Sequence, residues 1–298
     1  MMPDSDALDR FLARDHERVS APGKTIVLSH GGVRPRAIVL LHGFTASPTQ
    51  FIRFARDLFA RGHNVLVPRL PRHGYGERMT DALAGLTDEH LRWVARESLE
   101  IGRTLGEQVT IAGFSAGGTL ALWLAQRESF DRAVAIAPFL GVPWMPNSLM
   151  RITTNALLRV PNWFIWWDPV RRERLMPAHG YPRYPTHAIA YLYRISNDVM
   201  RDAALGPPKT RAVVVVSNSG EMGVDNRAIR ALVRRWNAHG AAIEHRVLRG
   251  MPPSHDIIEP EHAVALADRV YPALLDAIDP TRRAGGSRAL EQPSSIKP

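Results

Sequence analysis

Residues 109–126 read Val109-Thr110-Ile111-Ala112-Gly113-Phe114-Ser115-Ala116-Gly117-Gly118-Thr119-Leu120-Ala121-Leu122-Trp123-Leu124-Ala125-Gln126. The first four are apolar or β-branched and suit a buried strand. Thr119 to Gln126 suit a helix. Between them Gly113-Phe114-Ser115-Ala116-Gly117 fits G-x-S-x-G, a weak pattern in isolation that strand-before and helix-after make strong. The glycines let the chain turn sharply without clashes, so the Ser115 hydroxyl is expected exposed above the sheet with a helix N-terminus behind it.

Working outward, strand-like and helix-like segments alternate. Ala37 to Leu41 is a continuous apolar run ending in a glycine turn, as in a strand buried on both faces. Asn64 to Pro68, Gln108 to Gly113, Arg132 to Ala137 and Ala212 to Val216 read the same way. Between them, Thr87 suits a helix N-cap, with Asp88 and Glu89 in the first turn. Leu91, Val94, Ile101 and Leu105 then recur on one face, as do Ile229, Leu232, Val233 and Trp236 further on. The alternation predicts an α/β fold whose mostly parallel sheet is covered by helices on both faces. Two stretches break the rhythm. Phe139 to Pro208 is too long for a plain connection and is expected to be a functional insertion. The tail from Pro280 to Pro298 is poor in apolar residues and is expected to be disordered. Residues 1–279 are thus read as one domain, with an insertion at about 140–208.

A serine at such a turn asks for a base, an acid and a pocket for developing negative charge. Twelve histidines are present. His255, in Met251-Pro252-Pro253-Ser254-His255-Asp256, follows a strand at Ile243 to Leu248 and precedes the last helix. The chain order serine, acid, histidine places the base there. His262 is expected within the following helix. His42 and His73 sit in turns beside the site, where structural hydrogen bonds are the expected role. The acid belongs in the loop Ser217-Asn218-Ser219-Gly220-Glu221-Met222-Gly223-Val224-Asp225-Asn226. Glu221 and Asp225 compete for it. Asp225 has an alternative duty as a helix cap, which favours Glu221. Two backbone N–H donors are needed for the oxyanion: Ala116, after the serine, and Phe44, in Leu41-His42-Gly43-Phe44-Thr45 after the first strong strand.

Composition narrows the partners. The net charge is +9 over 298 residues, but the arginines are dispersed. The cluster Arg171, Arg172, Arg174 is short and carries no accompanying nucleic-acid signature, so no nucleic-acid partner is expected. No cysteine is present, which excludes disulfides, cysteine nucleophiles and thiolate metal sites. No histidine pair with a metal-site carboxylate motif occurs, so neither metal nor cofactor is expected. No apolar run reaches membrane-spanning length, and the acidic N-terminus does not read as a secretory signal. A cytoplasmic location is the expectation.

With these segments in hand, the chain resembles the α/β-hydrolase fold serine hydrolases, and most closely the carboxylesterase and monoacylglycerol-lipase branch, over about residues 25–278. Leu41-His42-Gly43-Phe44-Thr45, Pro71-Arg72-His73-Gly74, Ser254-His255-Asp256 and Val270-Tyr271-Pro272 are similar to segments of that branch. Its acid loop has the form Asp-x-x-Val-x-Asn, which falls on Glu221, Val224 and Asn226 with Glu in place of Asp. The resemblance implies a cap over the active site and cleavage of a small-molecule carboxylic ester by Ser115, Glu221 and His255. Amidase, peptidase or thioesterase chemistry with the same residues stays open, as does a non-catalytic binding protein on the same fold. Four of the seven Trp and four of the six Tyr lie in the insertion. They suit an apolar acyl group, the interior of a small lid, or transient membrane-surface contact, the last because Trp163 to Trp167 precede Arg171 and Arg172.

Overall fold

The computed structural model describes residues 5–16, 18–144, 147–174, 176–259, 261 and 266–280. Its strands are β1 (Ile26–Leu28), β2 (Arg34–Leu41), β3 (Asn64–Val67), β4 (Gly106–Phe114), β5 (Arg132–Ile136), β6 (Phe164–Trp166), β7 (Arg183–Pro185), β8 (Ala212–Asn218) and β9 (Glu244–Leu248). Its α-helices are α1 (Ser5–Leu12), α2 (Ile52–Ala60), α3 (Asp88–Leu105), α4 (Ala116–Arg127), α5 (Asn147–Leu157), α6 (Thr186–Asp202), α7 (Asn226–Ala238) and α8 (Ala267–Ile278).

Seven strands form one sheet in the order β1-β3-β2-β4-β5-β8-β9. β1 is antiparallel to β3, and every other pair in the sheet is parallel. The fold class read from the sequence is therefore observed, with one antiparallel edge strand added. The apolar runs become the middle of the sheet: Ile38 to Leu41, Ile111, Ala112, Ala133 to Ile136 and Val213 to Val216 are buried. Their continuity in sequence follows from burial on both faces. Helices α2, α3, α4, α7 and α8 pack against these strands. Thr87 caps α3 by accepting from the His90 N–H at 3.3 Å, as its position suggested.

The stretch 139–208 contributes no strand to this sheet. It holds α5, the antiparallel ribbon β6–β7 and α6. The inner face of α6 buries Ala188, Leu192, Ile195 and Val199, at helical spacing, and the helix packs on α4 and α5. The expected disordered tail falls almost wholly outside the described residues, as does His262; α8 begins at Ala267. Among the described residues no helix is long and apolar enough to cross a membrane.

Candidate active site

The parallel strands deliver their C-terminal ends to one edge of the sheet, where a ligand site is expected in an open α/β fold. β4 ends at Phe114 and α4 starts at Ala116, so Ser115 alone makes the turn. Its backbone is left-handed, with φ 53° and ψ −114°, a conformation that costs of order 1–3 kcal/mol for a non-glycine residue. Crossed backbones hold it. Ser115 N–H donates to the Ile136 carbonyl at 2.9 Å, and Phe139 N–H donates to the Ser115 carbonyl at 3.1 Å. A Cβ on Gly117 would lie 1.9 Å from the Leu41 carbonyl oxygen, so only glycine lets α4 approach β2.

The Ser115 hydroxyl lies 2.8 Å from His255 Nε2, and His255 Nδ1 lies 3.0 Å from Glu221 Oε2. Three residues separated by 140 and 34 positions thus form one hydrogen-bonded line. The Glu221 side chain is buried. Its other oxygen, Oε1, accepts from the Gly223 N–H at 2.6 Å and the Val224 N–H at 3.3 Å, which fixes the plane of the carboxylate. Asp225 points elsewhere: it is the N-cap of α7, accepting from the Arg227 N–H at 2.8 Å. Burial acts to lower the His255 pKa, but the hydrogen bond and charge of Glu221, then the charge of Asp256, outweigh it. The net effect is a rise above the ordinary imidazole value.

Phe44 and Ala116 lie beside Ser115 on the wall of a cavity of about 490 Å³. Among the described residues, neither backbone N–H has a hydrogen-bond acceptor in a turn, loop or cap. The loop carrying Phe44 is held by two buried histidines. His42 Nε2 accepts from the Leu70 N–H at 3.1 Å and His73 Nε2 accepts from the Thr45 N–H at 3.2 Å. Their Nδ1 atoms donate to the Gly43 and Pro71 carbonyls, both at 2.9 Å. Burial lowers the pKa of both rings, that of His42 well below the ordinary value and that of His73 to about 4. Each is therefore a neutral ring accepting at Nε2.

From the 139–208 stretch, Leu157, Ile165, Trp167, Tyr184, Leu192 and Tyr193 line the same cavity as Ser115. Thr45, with φ 66°, ties this wall to the Phe44 loop. Its hydroxyl accepts from Trp167 Nε1 at 2.8 Å, and its carbonyl accepts from the Tyr181 N–H at 2.8 Å. The rings of Phe44, Trp167 and Tyr184 meet at centroid distances of 6.2, 5.8 and 4.3 Å. Outside the cavity, Trp163 is 55 % and Val170 89 % exposed.

The sequence reading missed several connectors. Thr45 is one. Another is a buried line in which His179 Nδ1 meets the Ser47 hydroxyl at 3.1 Å and His179 Nε2 meets Glu259 Oε2 at 2.7 Å. Gln50 is a third. These are polar residues in short turns, with no periodicity to mark them.

Comparison with known proteins bears on the family and the fold. The model of the Alpha/beta hydrolase family matches residues 38–276. A thermostable monoacylglycerol lipase of Bacillus sp. (strain H-257) is 31 % identical over 100 residues, 32 % of this chain and 36 % of the lipase, so the match spans about a third of that relative. The crystal structure of the Paleococcus ferrophilus monoacylglycerol lipase superposes with a TM-score of 0.64 at 17 % identity, covering 85 % of this chain and 97 % of that one. A soluble variant of the Saccharomyces cerevisiae monoglyceride lipase gives 0.59 at 15 % identity, covering 86 % and 91 %. The chain belongs to the alpha/beta hydrolase family.

Proposed function

We propose that the protein hydrolyses carboxylic esters with an apolar acyl group through an acyl-enzyme on Ser115. The observation that carries this reading is the line Ser115–His255–Glu221, at 2.8 and 3.0 Å, opening on an apolar-walled cavity. Ser115 Oγ attacks the ester carbonyl while His255 Nε2 takes its proton. The oxygen that becomes negative is met by the N–H groups of Phe44 and Ala116, and each such donor lowers the barrier by about 3–4 kcal/mol. Collapse breaks the bond to the alcohol oxygen, which leaves with the proton held by His255. Water then repeats the sequence on the acyl-enzyme and releases the acid. Glu221 holds the Nδ1–H tautomer and stabilises the imidazolium.

The insertion acts as the cap, and its aromatic and aliphatic wall supplies the acyl site. Each methylene buried there contributes about 0.8 kcal/mol, close to fourfold in kcat/KM, until the cavity is full. Hydrolysis of p-nitrophenyl esters from acetate to octanoate, with Ser115→Ala as control, tests both points. Catalytic efficiency is expected to climb with chain length and to vanish in Ser115→Ala. A flat series would remove the acyl preference, and full activity in Ser115→Ala would remove the mechanism. A second reading, transient contact of the cap with a membrane surface, is favoured by the exposure of Trp163 and Val170 near Arg171 and Arg172. Flotation with anionic vesicles, compared between the native chain and Trp163→Ala, tests it.

A further inference from the structure

Gln50 is 2 % exposed, in a short turn (Pro48–Phe51) that leads into α2. Its side chain bridges two loops that are distant in sequence. Oε1 accepts from the Gly43 N–H at 2.8 Å, and Nε2 donates to Asp256 Oδ2 at 2.9 Å. Gly43 immediately precedes Phe44, and Asp256 immediately follows His255. A donor N–H on one side and a carboxylate on the other leave the amide one satisfactory orientation. The far ends of the bridge are themselves fixed. Asp256 Oδ1 accepts from the Ile258 and Glu259 N–H groups at 3.2 and 3.1 Å, while Oδ2 meets Gln50. At Gly43 a Cβ would lie 3.1 Å from the Phe114 ring and 3.4 Å from Gln50 Oε1, so the backbone itself presses against the amide.

We propose that Gln50 is a positioning residue for ester cleavage: its amide sets the distance between the loop carrying the Phe44 oxyanion donor and the loop carrying the His255 base. This rests on the roles given to Ser115, Phe44 and His255 above. The reaction requires the attacking oxygen, the base and the oxyanion donors to be in register at one moment. A displacement of about 1 Å in such a constellation can cost 100-fold. Ser115 is fixed by the crossed backbones at its turn, whereas Phe44 and His255 sit on loops. A single buried amide bonded to both loops makes their positions depend on each other. The Gly43 end of the bridge is also buried, so losing the amide takes from the Gly43 N–H the acceptor that holds it, and its loop will shift to satisfy it.

The test exchanges donor and acceptor. Gln50→Leu removes both bonds. Gln50→Glu keeps the acceptor for Gly43 but sets two carboxylates against each other. Asp256→Asn alone sets two NH₂ groups against each other, because its Oδ1 stays with the two backbone N–H groups. The double variant Gln50→Glu with Asp256→Asn restores a donor facing an acceptor and keeps the net charge. All four are compared with the native chain by circular dichroism, by kcat and KM on a p-nitrophenyl ester, and by the rate at which a fluorophosphonate phosphonylates Ser115 with loss of fluoride. The expected result is a fall of about 100-fold in kcat for folded Gln50→Leu, with KM within about threefold of native. The two single exchanges are expected to be impaired, and the double variant to recover most of the loss in both kcat and labelling. Native-like kcat in folded Gln50→Leu, or no recovery in the double variant, overturns the proposal. If Gln50→Leu does not fold, the exchange pair decides on its own. Failure of the native chain to label at Ser115 would instead overturn the reading of the site itself, and the positioning role with it.

Discussion

Replacing Glu221 by Gln changes one heavy atom, yet under the proposed mechanism it should remove nearly all turnover. Glu221 Oε1 accepts two backbone N–H groups, from Gly223 and Val224, while Oε2 accepts from His255 Nδ1. A glutamine has one oxygen, and the pair of N–H donors claims it. The NH₂ group is then forced toward His255 Nδ1. The imidazole can face that donor only by carrying its proton on Nε2, where it cannot accept from Ser115. The wrong tautomer in a triad costs about 10,000-fold in kcat, or about 5–6 kcal/mol of barrier. Asp225→Asn is the matched control. Asn caps helices as well as Asp, and Oδ1 can still accept from the Arg227 N–H, so stability should fall by about 1 kcal/mol or less with kcat near native. Steady-state kinetics and melting temperatures of the two variants decide the matter. A Glu221→Gln enzyme within tenfold of native, beside a crippled Asp225→Asn, would refute the reasoning and move the acid to Asp225.

The Gly223→Ala variant should lose about 100-fold in kcat with little change in fold, because the new Cβ would lie 2.8 Å from His255 Cγ and 2.9 Å from His255 Cβ. Kinetics beside circular dichroism would expose a native-like result. Stability should fall as pH drops from about 6.5 to about 4. There the unfolded chain binds protons that buried His73 refuses, and that ring alone accounts for about 3 kcal/mol. Urea midpoints across that range, in the native chain and in His73→Gln, check both the slope and its source.

The centre of the fold was legible because its signals are local. Four consecutive valines at 213–216 announce a buried strand wherever they sit, and Thr87 announces a helix start. Ser115 was legible because its turn needs glycine at fixed offsets on both sides. The edge strand Ile26–Leu28 was not read. It is three residues long and only partly buried, and its partner, β3, lies some 40 positions away. In α6 the helical period is present at Ala188, Leu192, Ile195 and Val199, but Tyr191, Tyr193 and Arg194 fall between those positions and obscure it. Glu221 was picked as the candidate acid by elimination, because Asp225 suited a cap, and in the structure it is Glu221 that meets His255. What elimination did not supply is the pair of N–H bonds that orients the Glu221 carboxylate, since that depends on how the loop closes. Gln50, Thr45 and His179 were illegible for the same reason. Each acts between segments that only tertiary folding brings together, and a lone polar residue in a turn reads as surface.

The three imidazoles near Ser115 show how burial is put to opposite uses. Around His255, burial is outweighed by a carboxylate, and the ring takes a proton more readily than a free imidazole. Around His42 and His73 no carboxylate offsets it, and the rings stay neutral far below ordinary imidazole pH. The difference matters because Nε2 of each of these two rings faces a backbone N–H, of Leu70 or Thr45. Protonating either ring would set donor against donor and loosen the loop that presents Phe44. Acid should therefore act in two separate stages. If His255 is the base, as proposed, activity should drop as pH falls through its raised pKa, above 6.5, while the fold persists, so the loss should reverse at once on neutralisation. Only toward pH 4, where His73 finally accepts a proton, should the loop carrying Phe44 be lost. A site in which all three rings titrated together would fail by both routes at once. Burying the loop histidines and pairing His255 with Glu221 would separate the proposed chemistry from the architecture along the pH axis.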